Sequence, residues 1–126
     1  MLKKGFKALL AEANAAIETV SVPDLPYHLE DADTILVDVR DAWEREENGV
    51  IPGSIHASRG MLEFQADPES PAYNPELKPE CRIICYCGTG GRSALAAKTL
   101  LDMGYRDAAS LAGGYAAWKA AQNNRR

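Results

Sequence analysis

The sequence predicts an α/β domain built on a parallel sheet, and three features of its 126 residues point there. Thr34-Ile35-Leu36-Val37-Asp38-Val39 and Ile83-Ile84-Cys85-Tyr86-Cys87 are apolar, β-branched-rich runs without regular alternation, the pattern of strands buried on both faces. Segments with apolar residues three and four apart flank them, as packed helices require. Glycine turns, Gly88 to Gly91 and Gly113-Gly114, carry the chain from apolar run to helical segment, which is how parallel strands are joined by right-handed crossovers.

Taken in order, Phe6, Leu9, Leu10, Ala13, Ala16 and Ile17 recur at helical spacing with Lys3, Lys7, Glu12 and Asn14 between them. They predict an amphipathic helix whose apolar stripe packs on this domain or on a partner. Thr19 and Val20 predict a short strand, and Ser21-Val22-Pro23-Asp24-Leu25 starts a helix that Pro26 keeps short. Thr34 to Val39 is the first long strand, with Asp38 and Arg40 at its C-terminal end. The stretch from Pro52 to Pro79 holds five of the seven prolines and shows pattern only at Ser54-Ile55-His56-Ala57 and in a turn of helix at Met61-Leu62-Glu63-Phe64. An irregular stretch of that length in a small domain is functional or mobile. Ile83 to Cys87 is the second long strand, and it opens into a helix from about Arg92 to Met103 closed by Gly104 as its C′ residue. Ala109-Ser110-Leu111-Ala112 is a weaker strand, and Gly113-Gly114 leads into a last helix with Tyr115 and Trp118 on one face.

Composition narrows the function. Hydrophobic residues make up 46% and charged residues 25%, which fits one soluble globular domain and neither a disordered nor a fibrous chain. With 14 Lys and Arg against 18 Asp and Glu, the net charge of -4 offers nucleic acid no electrostatic footprint. No apolar stretch approaches the roughly 20 residues that cross a bilayer. Met1-Leu2-Lys3-Lys4 with Ala13-Asn14-Ala15 imitates a secretion signal, yet only Ala8 to Ala11 is unbroken, short of the roughly 7–15 apolar residues such a segment needs. Cys81, Cys85 and Cys87 are odd in number and make no fully paired disulfide framework, which points to a reducing, cytoplasmic home.

Cys87 stands where the second long strand runs out, and ligands of open α/β sheets bind beyond the C-terminal ends of strands. Gly88, Gly90 and Gly91 permit positive φ and close approach, so consecutive N–H groups can curl around one point as an anion nest. The N-terminus of the next helix aims its free N–H groups and dipole at the same point. Such surroundings lower a cysteine pKa from about 8.5 and favour the nucleophilic thiolate, and Arg92 adds a permanent positive charge.

The run Cys87-Gly88-Thr89-Gly90-Gly91-Arg92-Ser93 resembles the active-site loop of rhodanese-like sulfurtransferases. Asp38-Val39-Arg40 with Trp43-Glu44 resembles that family's first signature, Ile51-Pro52-Gly53-Ser54-Ile55-His56-Ala57 its second, and Leu111-Ala112-Gly113-Gly114-Tyr115 with Trp118 its closing Gly-Gly-x-x-x-Trp pattern. Arg59 to Phe64, followed by Asp67-Pro68-Glu69-Ser70, is similar to an extended loop of some single-domain members. One position departs: the His that commonly precedes the Ile-Pro-Gly stretch is Val50 here. The resemblance covers about Val20 to Ala120. It implies a rhodanese-like fold over residues 19–122, a five-stranded parallel sheet flanked by helices, with residues 1–18 as a helical extension.

The resemblance also implies a reaction. A small anionic sulfur donor such as thiosulfate would enter the loop, the Cys87 thiolate would take its outer sulfur, and a thiol or cyanide acceptor would remove that sulfur from the resulting persulfide. Gly88, Thr89, Gly90, Gly91 and Arg92 would supply the cradle and Ser93 would help cap the helix; neither metal nor organic cofactor is needed. The alternatives are a non-catalytic or sulfur-relaying binding module and, on a similar scaffold, an arsenate reductase or phosphatase with a Cys-x5-Arg loop. That spacing requires Arg at position 93, where Ser stands, and Arg92 makes a loop one residue shorter, a smaller ring that favours a single sulfur atom on Cys87 over a full phosphate.

Other residues have humbler expected uses. Cys85 shares a strand face with Cys87 and reads as a buried hydrophobe or as a dithiol partner, and Cys81 as incidental. Together with His28 and His56 the cysteines lack the spacing of a structural zinc site. Asp38, Arg40 and Glu44 are expected to be structural groups near the site, Arg40 pairing with Glu44 or another carboxylate. Arg59, after a strand end, reads as a group at the mouth of the Cys87 pocket, steering an anionic donor, or as a solvated surface side chain. Tyr115 and Trp118 read as core and His56 as a structural histidine. Monomer and homodimer both remain open.

Overall fold

In the computed structural model, which describes residues 1–124, the chain runs through α1 (Phe6–Ala16), β1 (Glu18–Val20), α2 (Leu25–Leu29), β2 (Thr34–Asp38), α3 (Ala42–Asn48) and β3 (Ile55–His56). A 3-10 turn (Arg59–Met61), α4 (Leu62–Ala66), β4 (Arg82–Tyr86), α5 (Gly91–Met103), β5 (Asp107–Leu111) and α6 (Gly114–Asn123) complete it. The strands lie in the order β1-β5-β4-β2-β3 and every neighbouring pair is parallel, so the expected five-stranded parallel sheet is present.

The unalternating runs are explained by burial on both faces. From β4, Ile83 and Cys85 enter a core with Val37 of β2, Leu62 and Ala66 of α4, and Ala96, Ala97 and Leu100 of α5. The intervening Ile84 and Tyr86 face the other way, into a second core with Leu36, Leu25 of α2, and Tyr115 and Trp118 of α6. Tyr115 and Trp118 therefore belong to the core as expected, their rings 5.7 Å apart. Two layers of helix on a central sheet leave the C-terminal ends of β2 and β4 as the place where loops converge.

Several boundaries differ from the sequence reading. α2 begins at Leu25 rather than at Ser21, so Pro26 falls in its first turn, where a missing N–H costs nothing. β4 ends at Tyr86, and Cys87 is the first residue beyond it. α3 had no counterpart in the apolar pattern because none of its residues is buried; its signal was Asp41-x-x-Glu44, where the Glu44 carboxylate accepts from the Asp41 N–H at 3.0 Å. The proline-rich stretch is pinned to the body. Leu77 is fully buried, Tyr73 donates to the Leu77 carbonyl at 2.6 Å, and Tyr105 reaches across to the Ala66 carbonyl at 2.7 Å.

α1 packs on α5 of its own domain, with Ala13 fully buried and Ile17 against the core, whereas Phe6 is 71% exposed. Among the described residues, no helix is long and apolar enough to cross a membrane.

Candidate active site

β4 delivers Cys87 to the mouth of the sheet, and the next six residues wrap its sulfur. The Gly90 N–H donates to Cys87 Sγ at 3.1 Å and the Ser93 N–H at 3.4 Å, while Ser93 Oγ lies 3.5 Å from the same sulfur. Of the three loop glycines that permit positive φ, Gly90 adopts it, at +117°, and Gly88 and Gly91 do not. One left-handed residue is enough to turn the loop into the helix, and at Gly88 and Gly91 the cradle follows from ordinary backbone.

Two opposed effects act on the Cys87 thiol. Burial pushes its pKa up, but hydrogen bonds from the Ser93 hydroxyl and from the Ser93, Gly90 and Thr89 N–H groups outweigh it and hold the thiol below its ordinary value. Ser93 is fully buried, and its hydroxyl lies 2.7 Å from that of Ser110 on β5 and 3.2 Å from the Gly90 carbonyl. α5 is capped at Gly90 without a side-chain hydrogen bond, so Ser93 does not supply the cap expected of it and is instead a direct neighbour of the sulfur. Ser110 was missed at the sequence level, though a lone hydroxyl in the apolar run of β5 was its signal.

The Gly113-Gly114 pair shapes the loop from below. A Cβ on Gly114 would lie 2.5 Å from the Cys87 carbonyl oxygen and 2.8 Å from Gly88 backbone atoms, so only glycine lets α6 approach. At that contact the Tyr115 N–H donates to the Cys87 carbonyl at 2.8 Å and the Ala116 N–H to the Gly88 carbonyl at 3.1 Å. The N-terminus of α6 holds these carbonyls away from the sulfur, which leaves the inner side of the loop to N–H groups.

Arg92 turns outward. Its guanidinium makes two hydrogen bonds, 2.7 and 3.0 Å, with the Glu44 carboxylate, which it holds below the usual carboxylate range. The Arg40–Glu44 pairing considered from sequence is not formed; Arg40 takes the other option. Arg40 is buried against Asp38 at 2.8 Å, donates to the Gly49 carbonyl, and lies 4.5 Å from the centre of the Tyr115 ring, while Arg45 adds a second contact to Asp38 at 2.9 Å. Burial pushes the Asp38 carboxyl up, but the Arg40 and Arg45 guanidiniums hold it below its ordinary range. The ring of His56 meets the Arg40 carbonyl at 2.7 Å. Asp38, Arg40 and His56 are thus joined to one another by hydrogen bonds.

Arg59 is not at the mouth. Its guanidinium spans Glu63 at 3.0 Å and Thr99 at 3.1 Å, because the 3-10 turn starting at Arg59 directs it along α4 and α5 rather than toward the loop. Cys85 is fully buried, and desolvation, reinforced by the neighbouring Cys87 charge, pushes its thiol up to about 12. It behaves as a small hydrophobe. All three cysteines are free, and among the described residues no group of three or more His, Cys, Asp and Glu side chains could hold a metal ion.

A family profile, the rhodanese-like domain, matches residues 21–121. The thiosulfate sulfurtransferase GlpE of Pseudomonas savastanoi is 32% identical over 99 residues, 78% of this chain and 84% of that protein. A tRNA sulfurtransferase of Desulfurococcus amylolyticus is 38% identical over 88 residues, 70% of this chain, and the match spans only 15% of its own length. Among solved structures, a protein of unknown function and possible tyrosine phosphatase from Rhodopseudomonas palustris superposes with a TM-score of 0.90 at 44% identity, covering 97% of this chain and 94% of that one.

Proposed function

The chain belongs to the rhodanese-like domain family, and from that premise we propose that it is a sulfurtransferase carrying sulfane sulfur from thiosulfate or a similar anionic donor to cyanide or a thiol through a persulfide on Cys87. The observation that carries the reading is the Cys87 sulfur itself. It is held by two backbone N–H groups at the start of α5 and has a pKa lowered against the effect of burial. Relatives that are named sulfurtransferases support sulfur transfer as the reaction.

In the first half-reaction the thiolate attacks the outer sulfur of thiosulfate. A bond forms between Cys87 Sγ and that sulfur, the donor's S–S bond breaks, and sulfite leaves with the electron pair. In the second, the acceptor attacks the outer sulfur and the pair returns to Sγ; with cyanide the product is thiocyanate. The N–H groups that stabilise the resting thiolate also stabilise the anionic persulfide, so the cradle serves both halves without a proton transfer.

The phosphatase description of the Rhodopseudomonas palustris relative does not suit this loop. Oxyanion chemistry calls for Cys-x5-Arg with the guanidinium closing on the substrate, whereas position 93 is Ser and the Arg92 guanidinium is bound to Glu44. Three unpaired cysteines support a reducing compartment, and we place the protein in the cytoplasm.

Steady-state thiocyanate formation from thiosulfate and cyanide tests the reading. Parallel double-reciprocal lines, the pattern of a covalent carrier, are expected. Absence of thiocyanate with folded, reduced protein would overturn it in favour of a catalytically silent binding module.

A further inference from the structure

Cys87 lines a hollow of about 300 Å³, and one side of that hollow is not supplied by the part of the chain matched to the family. Phe6 and Leu10 of α1 line it together with Leu95 of α5, Thr89, Gly91 and Arg92. Leu10 also borders the adjoining hollow beside Gly90 and Gly113. α1 is anchored independently of these two side chains, through buried Ala13 and through Ile17 against the core.

Two properties of the lining bear on what it receives. Among the described residues Arg92 is its only charged side chain, and two hydrogen bonds commit that guanidinium to Glu44, so an inorganic dianion meets backbone N–H groups and little free positive charge. Phe6 is 71% exposed even though it borders the nucleophile's hollow. An aromatic ring left open to water beside a reactive sulfur has apolar surface free to cover a substrate.

We propose that α1 is the specificity wall of the Cys87 site, with Phe6 and Leu10 selecting sulfur compounds that carry an apolar body over inorganic ones. The inference rests on Cys87 as the sulfur carrier. For an arylthiosulfonate, the thiolate bonds to the terminal sulfur, the donor's S–S bond breaks, and the arylsulfinate departs with the electron pair. Cyanide then removes the carried sulfur as thiocyanate. The aryl ring lies against Phe6, Leu10 and Leu95 while the sulfur enters the cradle.

The test compares kcat/KM for benzenethiosulfonate and for thiosulfate, both with cyanide as acceptor, in the wild type, Phe6→Ala and Leu9→Ala. Leu9 is exposed on the same helix and does not line the hollow, so Leu9→Ala controls for general effects on α1. In Phe6→Ala the preference for benzenethiosulfonate is expected to fall roughly tenfold, as loss of an aromatic contact allows, while Leu9→Ala keeps the wild-type ratio. Sulfur transfer from both donors with the same ratio in wild type and Phe6→Ala would overturn the specificity wall and leave the sulfurtransferase reading standing. No transfer from either donor by the wild type would overturn both.

Discussion

A thiol buried in protein is ordinarily a weaker acid than one in water, and Cys85 obeys that rule while Cys87, two residues on, breaks it. The difference lies in where the N–H groups point. Ser93 contributes twice, through its backbone and through its hydroxyl, and Ser110 backs the hydroxyl from β5. Ser93→Ala therefore removes one donor and is expected to raise the Cys87 pKa. Because only the thiolate alkylates, the pH profile of iodoacetamide labelling should have its midpoint below the ordinary thiol value of about 8.5 in the wild type and at higher pH in the variant. An unshifted midpoint would remove the hydroxyl from the account. At this scale Cys87 and its glycines were legible, since a nucleophile, a tight loop and a helix start are consecutive in the chain. Ser110 and the Glu44–Arg92 pair were not, because their partners lie 17 and 48 residues away and meet only through the order of the strands. Arg59 misled for a related reason: a position after a strand end does not say which way a 3-10 turn will aim the side chain.

At the scale of elements, the loop is held by the helix that follows β5 as much as by the one that follows β4. Gly114, at φ +59° with backbone of Cys87 and Gly88 where its Cβ would be, marks the contact. Gly114→Ala is expected to push α6 off the loop, at a cost of about 1–3 kcal/mol for the strain and crowding, and to lower sulfur transfer more than the stability loss explains. Thermal unfolding measured beside kcat/KM separates the two effects, and a variant with wild-type values for both would contradict the role given to α6. The strands were readable because burial on both faces writes an unbroken apolar run. α3 was not, since it buries no residue and has no apolar period, and its capping signature was the only local sign. α2 was placed too early because Ser21 was read as its start; Pro26, expected to keep it short, sits in the first turn of a helix that begins at Leu25.

For the whole molecule, the buried Asp38–Arg40 pair ties β2 to the turn at Gly49 and, through the Tyr115 ring, to α6. Asp38→Ala would leave Arg40 buried without its carboxylate, and chemical denaturation is expected to show a loss of about 3–5 kcal/mol. The Asp38 pKa is depressed in the folded state, so its contribution is complete above the unfolded value of about 3.9 and disappears as pH falls through the folded value. Across that acid window the stability of the variant should change less with pH than that of the wild type. All of this architecture converges on one sulfur atom, and intact-mass spectrometry reads that atom directly. After incubation of reduced protein with thiosulfate, the wild type is expected to gain one sulfur that cyanide removes as thiocyanate, and folded Cys87→Ser to gain none. A cyanide-labile sulfur on Cys87→Ser, or no adduct on the wild type, would contradict Cys87 as the carrier.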